Sequence, residues 1–216
     1  MNHDSREVQL KLVYCGPPEG GKTTNLQYVY RRLDPRMRGD MISVATEQNR
    51  TVSFDFLPVH SSEIAGYQTR FQIFTVPGHV ALREVRKSVM AGADGIAFVA
   101  DSNPERAEAN IQSVEDCRAI LSELNVDPGR IPMAMQLNKR DEKGAMAPEE
   151  MDEALGVAGP SFLACALSGY QVFATLDWLT QQVVTRFHAI HGERQAHHGL
   201  VNRENPASME VSYQAG

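Results

Sequence analysis

No apolar run in this chain approaches the ~20 residues that a bilayer-spanning helix needs. The polar start, Met1 to Glu7, does not read as a signal peptide, and no cysteine near the C-terminus could carry a prenyl group. Any membrane attachment is therefore expected to be indirect, with no direct membrane anchor. Cysteine is scarce: Cys15, Cys117 and Cys165 lie far apart, inside apolar stretches and without metal-ligand spacing. That excludes a zinc or disulfide scaffold and points to reduced, buried thiols in a cytoplasmic protein. Positive charge is not in excess. Lys and Arg total 21 against 27 Asp and Glu, a formal net charge of −6, so no nucleic-acid partner is expected. Internal repeats are absent. What remains is one compact domain with a polar tail, since 42% of the 216 residues are hydrophobic, enough for a core.

Against these absences stands one dense stretch. Gly16-Pro17-Pro18-Glu19-Gly20-Gly21-Lys22-Thr23 fits G-x-x-x-x-G-K-[ST], the pattern of a phosphate-binding loop. The preceding run, Val8 to Cys15, alternates like a strand. The following one, Thr24 to Leu33, puts Leu26, Tyr30 and Leu33 on one helical face. Glycines let backbone N–H groups wrap phosphate oxygens, and the helix start adds partial positive charge. Pro18, Glu19, Gly20, Gly21, Lys22, Thr23 and Thr24 are thus the phosphate-binding candidates. Lys22 reaches the terminal phosphates, and the Thr23 hydroxyl is available to Mg²⁺.

The rest of the chain alternates strands and helices. Strands are expected over Thr51 to Pro58 and Tyr67 to Val76, close enough to form an antiparallel hairpin at a sheet edge, with a connection through Ser61-Ser62-Glu63 and Gly66. Continuous apolar runs at Gly95 to Ala100 and Pro132 to Leu137 read as central parallel strands, and Ser161 to Ala166 as a last one. Helices are expected over Val80 to Met90, after Ser102-Asn103-Pro104-Glu105, from Pro148 to near Gly156, and over Val172 to Ile190. From His191 the composition turns polar, which reads as a flexible tail over 191–216 behind a domain of residues 1–190. The pattern is that of an α/β doubly wound sheet with ligands at the carboxyl ends of its strands.

Two strand ends carry a second chemistry. Asn138-Lys139-Arg140-Asp141 fits N-K-x-D. The Asp141 carboxylate can accept bonds from guanine's N1–H and exocyclic amine, a donor pair that adenine lacks. Asn138 can bond the other edge and tie loops together, and the Lys139 stem can cover the base. At the next strand end, Cys165-Ala166-Leu167-Ser168-Gly169 resembles the small-residue loop in which a backbone N–H, of Ala166 or Leu167, meets the base oxygen.

Together these loops resemble the Ras-like small GTPases, and more closely the bacterial MglA family of polarity and gliding-motility GTPases. The residues that carry the resemblance are Gly21 to Tyr30, Asp55-Phe56-Leu57-Pro58, Thr75-Val76-Pro77-Gly78, Phe98 to Ser102 and Asn138 to Asp141, and it covers roughly residues 7 to 190. It implies a P-loop GTPase fold: a mostly parallel central sheet with one antiparallel edge strand and helices on both faces. It implies GTP or GDP with Mg²⁺ as ligands, Thr23 and Thr51 as metal-binding residues, and Gly78 as a backbone donor to the γ-phosphate. It implies Arg50 as a built-in arginine finger, where the bare sequence offers only a loop arginine. It also implies a roadblock-domain, MglB-like activating protein, effector proteins at the switches, and recruitment to a cell pole or motility complex.

Three departures bear on turnover. Thr75 stands where most Ras-like proteins carry a metal-associated aspartate. His79 stands where the water-orienting glutamine is usual, although translational GTPases have a comparable P-G-H. Pro18 replaces a glycine and supplies no N–H, while Glu19 adds negative charge beside the phosphates. Two readings stay open: a GTP hydrolase, with Arg50 and His79 as catalytic candidates and slow intrinsic turnover, or a module that holds GTP and barely hydrolyses it. A phosphate-loop kinase is a third, opposed by Asn138 to Asp141.

Overall fold

The structure is a computed structural model, and it describes residues 7–45, 53–64, 67–157 and 159–201. The chain divides into two compact units, Met1–Val183 and Val184–Gly216. The first unit is a sheet with helices on its faces. Its strands are β1 (Glu7–Cys15), β2 (Ile42–Ala45), β3 (Ser53–Ile64), β4 (Tyr67–Thr75), β5 (Gly95–Asp101), β6 (Met133–Asn138) and β7 (Ser161–Leu163). Among the described residues they run in the order β2-β3-β4-β1-β5-β6-β7. The helices are α1 (Lys22–Arg32), α2 (Arg83–Met90), α3 (Ala107–Glu123), α4 (Pro148–Leu155) and α5 (Val172–Val201). In the second unit, the described residues are the C-terminal part of α5.

Pairing is parallel from β4 through β1, β5 and β6 to β7. Among the described strands only β3 is reversed, pairing antiparallel with both β2 and β4. The expected hairpin is therefore present, but β2 lies outside it and the reversed strand is second from the edge. The hairpin is also longer than expected. Residues 61–64, expected as a connection, continue β3, with a register shift between His60 and Glu63. α5 runs past Ile190 to Val201, so the first part of the expected tail is helical, and the remainder lies outside the described residues.

Alternation along β1 sorts the two faces. Val13 and Cys15 join Ile96, Phe98, Met133 and Met135 in a core closed by Val89 and Met90 of α2, Val114, Cys117, Ile120 and Leu121 of α3, and Met151 and Leu155 of α4. On the other face, Leu12, Leu26, Val29, Leu176, Leu179 and Val183 are buried. Each such side chain contributes about 1.5–3 kcal/mol on leaving water. Gly95 shows how close the packing is, because a Cβ there would sit 2.6 Å from Val183 Cγ2 and 3.0 Å from Leu179 Cδ1. All three cysteines are free and buried. Among the described residues no helix is long and apolar enough to cross a membrane, and no cluster of His, Cys, Asp or Glu could hold a metal ion by itself.

Candidate functional site

The segments that follow β1, β6 and β7 line one cleft, and the turn after β4 lies against the first of them. β1 ends at Cys15 and the chain turns at Gly16, whose φ of +136° and 2.2 Å approach of a hypothetical Cβ to Val99 O admit only glycine. The loop closes on Gly21, φ +101°, which starts α1. Between them Glu19 takes φ +62°, a left-handed conformation that few side chains adopt. The buried Lys22 donates from Nζ to Gly16 O at 2.9 Å and to Pro17 O at 2.6 Å. Burial is the main reason that its pKa falls from 10.5 to about 8, with Arg86 and Arg106 adding positive charge nearby and Cys15 opposing. No ion pair joins this buried, charged lysine to a carboxylate among the described residues, and phosphate supplies the missing counter-anion.

At the other end of the cleft, Asn138 joins two loops. Its Nδ2 donates to Gly20 O at 2.8 Å, and its Oδ1 accepts from Ala166 N at 2.9 Å. The Ala166 N–H is thereby used inside the protein, and the next residue along the cleft lining is Leu167, which is largely exposed. Asp141, Glu19, Gly21, Thr24, Lys139 and Cys165 line the same cleft. The Asp141 carboxyl is held below its usual pKa, first by the Cys165 thiol, then by its own backbone N–H and Lys139. It is thus ionised at neutral pH, as a double acceptor must be. Lys139 takes φ +64°, and its Nζ pairs with Asp101 Oδ2 at 2.7 Å.

The third loop carries Pro77-Gly78-His79. Arg86 of α2 pins it, donating from Nη1 to Pro77 O at 3.2 Å and to His79 O, while its Nε pairs with Asp116 Oδ2 of α3 at 2.8 Å. Gly78 lies directly on the glycine loop: a Cβ there would be 2.3 Å from Pro18 N. The His79 residue is exposed. Arg50 and Thr51 lie outside the described residues.

Asp55, which belongs to the stretch that carries the family resemblance but has no expected site role, lies at the centre of the metal-side geometry. The register of the hairpin sets it against Thr75 and within reach of α1. Its Oδ2 accepts from Thr23 Oγ1 at 2.6 Å and Thr75 Oγ1 at 2.9 Å, and its Oδ1 accepts from Ser43 Oγ at 2.7 Å. It is 1% exposed, and no ion pair joins it to a lysine or arginine among the described residues. A buried carboxylate ringed by hydroxyls is an all-oxygen donor set and fits a hard divalent cation such as Mg²⁺. The sequence signal for it was indirect: a neutral Thr75 leaves the metal side without a carboxylate, and Asp55 is an acidic residue on the strand that faces it.

A glycine loop feeding a helix, a guanine-type strand end beside it and a mostly parallel sheet define the class as a P-loop GTPase. The chain matches the ADP-ribosylation factor family over residues 2–183. It is 46% identical over 186 residues to the mutual gliding-motility protein MglA of Myxococcus xanthus (strain DK1622), covering 86% of this chain and 95% of that protein. It is 21% identical over 194 residues to ADP-ribosylation factor-like protein 2 of Arabidopsis thaliana, covering 86% and 93%. With ADP-ribosylation factor-like protein 4D of Mus musculus it shares 29% identity over 114 residues, 52% and 53% of the two chains. The chain belongs to the ADP-ribosylation factor family of Ras-like small GTPases, on its MglA branch. Membership implies GTP or GDP and Mg²⁺ as ligands and GTP hydrolysis as the activity of the class.

Proposed function

We propose that the protein is a GTP/GDP switch of the MglA type in cell polarity or gliding motility, slow by itself and accelerated by a roadblock-domain activating protein. The observation that carries the nucleotide part is Asn138, which ties the phosphate loop to the base-reading loop so that both ends of one guanine nucleotide are held in fixed register. Lys22 and the N–H groups of residues 19–24 hold phosphate. Asp141 accepts from the base, and the Leu167 N–H meets its oxygen. Mg²⁺ supplies charge neutralisation at the phosphates, with Thr23, Thr51 and Asp55 to hold it. Asp55 provides the negative charge that Thr75 lacks. Gly78 offers its N–H to the γ-phosphate, so that the turn pinned by Arg86 follows the state of the nucleotide.

For hydrolysis, Arg50 neutralises charge that grows on the transferring phosphoryl group, and His79 orients the attacking water. Ras-like intrinsic rates are about 10⁻⁴ s⁻¹, and a well-placed arginine is worth roughly 10³ to 10⁵ in rate. A second reading, a module that holds GTP with little turnover, is favoured by the packing of Gly78 on Pro18, which narrows the space for that water. Single-turnover GTP hydrolysis of wild type and Arg50→Ala, with and without a roadblock-domain protein, separates the two. The switch reading expects stimulation by the partner, lost by orders of magnitude in Arg50→Ala with GTP affinity nearly unchanged. No hydrolysis with the partner present gives the case to the holding module.

A further inference from the structure

We infer that Arg106, immediately before α3, is a positioning residue for the phosphate loop: by holding the Pro18 carbonyl it turns the Glu19 N–H into the loop, towards a nucleotide phosphate oxygen. The inference rests on the nucleotide-binding reading above. Arg106 Nη2 donates to Pro18 O at 2.6 Å. In a planar trans peptide the N–H points opposite to the C=O. A carbonyl drawn towards Arg106 therefore fixes the N–H of the next residue on the far side, where Glu19 lines the nucleotide cleft with Gly21 and Thr24.

Two features of this chain give that donor weight. Pro18 has no N–H, so the loop offers one donor fewer than a loop with an ordinary residue there. Glu19 itself sits at φ +62°, a conformation that persists only where neighbours hold it. Arg106 Nε lies 3.9 Å from Asp101 Oδ2, and that oxygen also receives Lys139 Nζ at 2.7 Å. Asp101 is 1% exposed and is clamped through its backbone by Asn110, which accepts from Asp101 N at 2.9 Å and donates to Asp101 O at 2.8 Å. One buried carboxylate thus serves as the counter-charge of both the arginine on the phosphate loop and the lysine of the base-reading loop, the arginine at the longer distance. The guanidinium is also near enough to Lys22 to oppose that lysine's charge, which places it beside the phosphate site.

The test uses the full chain with GDP and Mg²⁺. Arg106→Met keeps the aliphatic stem and removes the donor, and Arg106→Lys restores a donor and a charge. Release of a fluorescent GDP is expected to be roughly 10- to 100-fold faster in Arg106→Met, the range for one hydrogen bond to a charged group, and intermediate in Arg106→Lys. The second readout is the Glu19 amide in ¹H–¹⁵N spectra. It is expected to move downfield when GDP binds to wild type and to lose most of that shift in Arg106→Met. A faster release with the Glu19 shift intact overturns the inference, as does an unchanged release rate. Should the methionine variant not fold, the wild-type amide decides alone, and absence of a GDP-induced shift overturns the inference. Wild type that binds no GDP overturns the nucleotide-binding reading itself, whereas wild-type binding beside an unaffected Arg106→Met overturns this inference alone.

Discussion

Lys22 carries a cost that the nucleotide-free protein cannot avoid. Its ammonium is buried, and its pKa is lowered to about 8 from 10.5, chiefly by desolvation. A depression of that size disfavours the charged form by about 3 kcal/mol. The two carbonyl bonds to Gly16 and Pro17 work against that cost, because both accept from the charged form. Below pH 8 the folded protein keeps the proton and bears the whole cost. Between pH 8 and 10.5 the unfolded chain binds the proton that the folded one has released, so stability rises with pH across that window. Lys22→Met removes the titration. Thermal unfolding of both proteins without nucleotide, from pH 7 to 10.5, should therefore give a stability difference that changes by about 3 kcal/mol. At roughly 2–4 °C per kcal/mol for a chain of this size, that is a readily measured shift. The variant is favoured most at pH 7. GDP reverses the sign, because phosphate restores the charge: affinity should fall about tenfold per pH unit above 8 in wild type, and collapse at every pH in Lys22→Met. A difference in stability that stays flat from pH 7 to 10.5 would refute the argument that burial, rather than the loop carbonyls, sets the state of this lysine.

Other outcomes follow from the same geometry. Asp55→Asn keeps the shape of the hydroxyl-ringed site but removes its charge, so the Mg²⁺ needed to slow GDP release should rise at least tenfold, about 1.4 kcal/mol; an unchanged Mg²⁺ titration would take Asp55 out of the metal site. Gly78→Ala would put a Cβ 2.3 Å from Pro18 N, so the turn has to shift. GDP affinity should stay within a fewfold of wild type while single-turnover GTP hydrolysis drops tenfold or more, and equal rates would mean that Gly78 need not approach the loop.

Much of this site was legible in the residues because its pieces are local. The glycine pattern, the alternation of Val8 to Cys15 and the apolar stripe of the next helix each depend on neighbours in sequence, and β1, the loop and α1 lie where those signals place them. Asn138 was likewise readable, including its role as a tie between loops. Asp55 was not, because its part depends on the hairpin register that sets it opposite Thr75, and register is a tertiary property. Arg106 and Asp101 were hidden for the same reason, since their partners are Pro18 and Lys139, distant in the chain. β2 is too short for alternation to be recognised. The far end of β3 is polar, and backbone ladder bonds leave no mark in composition. The continuation of α5 past Ile190 was masked by polar residues, although Glu193, Arg194, Gln195 and Ala196 are good helix formers.

Titration of GTP, ATP and XTP against wild type and Asp141→Asn, with Mg²⁺ present, tests the account most directly. Asp141 is ionised and faces the cleft, so wild type should bind GTP at least 100-fold more tightly than ATP. The asparagine, which presents a donor to guanine's donors, should move the preference from GTP towards XTP. Equal affinity of wild type for GTP and ATP would contradict the guanine-nucleotide switch at its root.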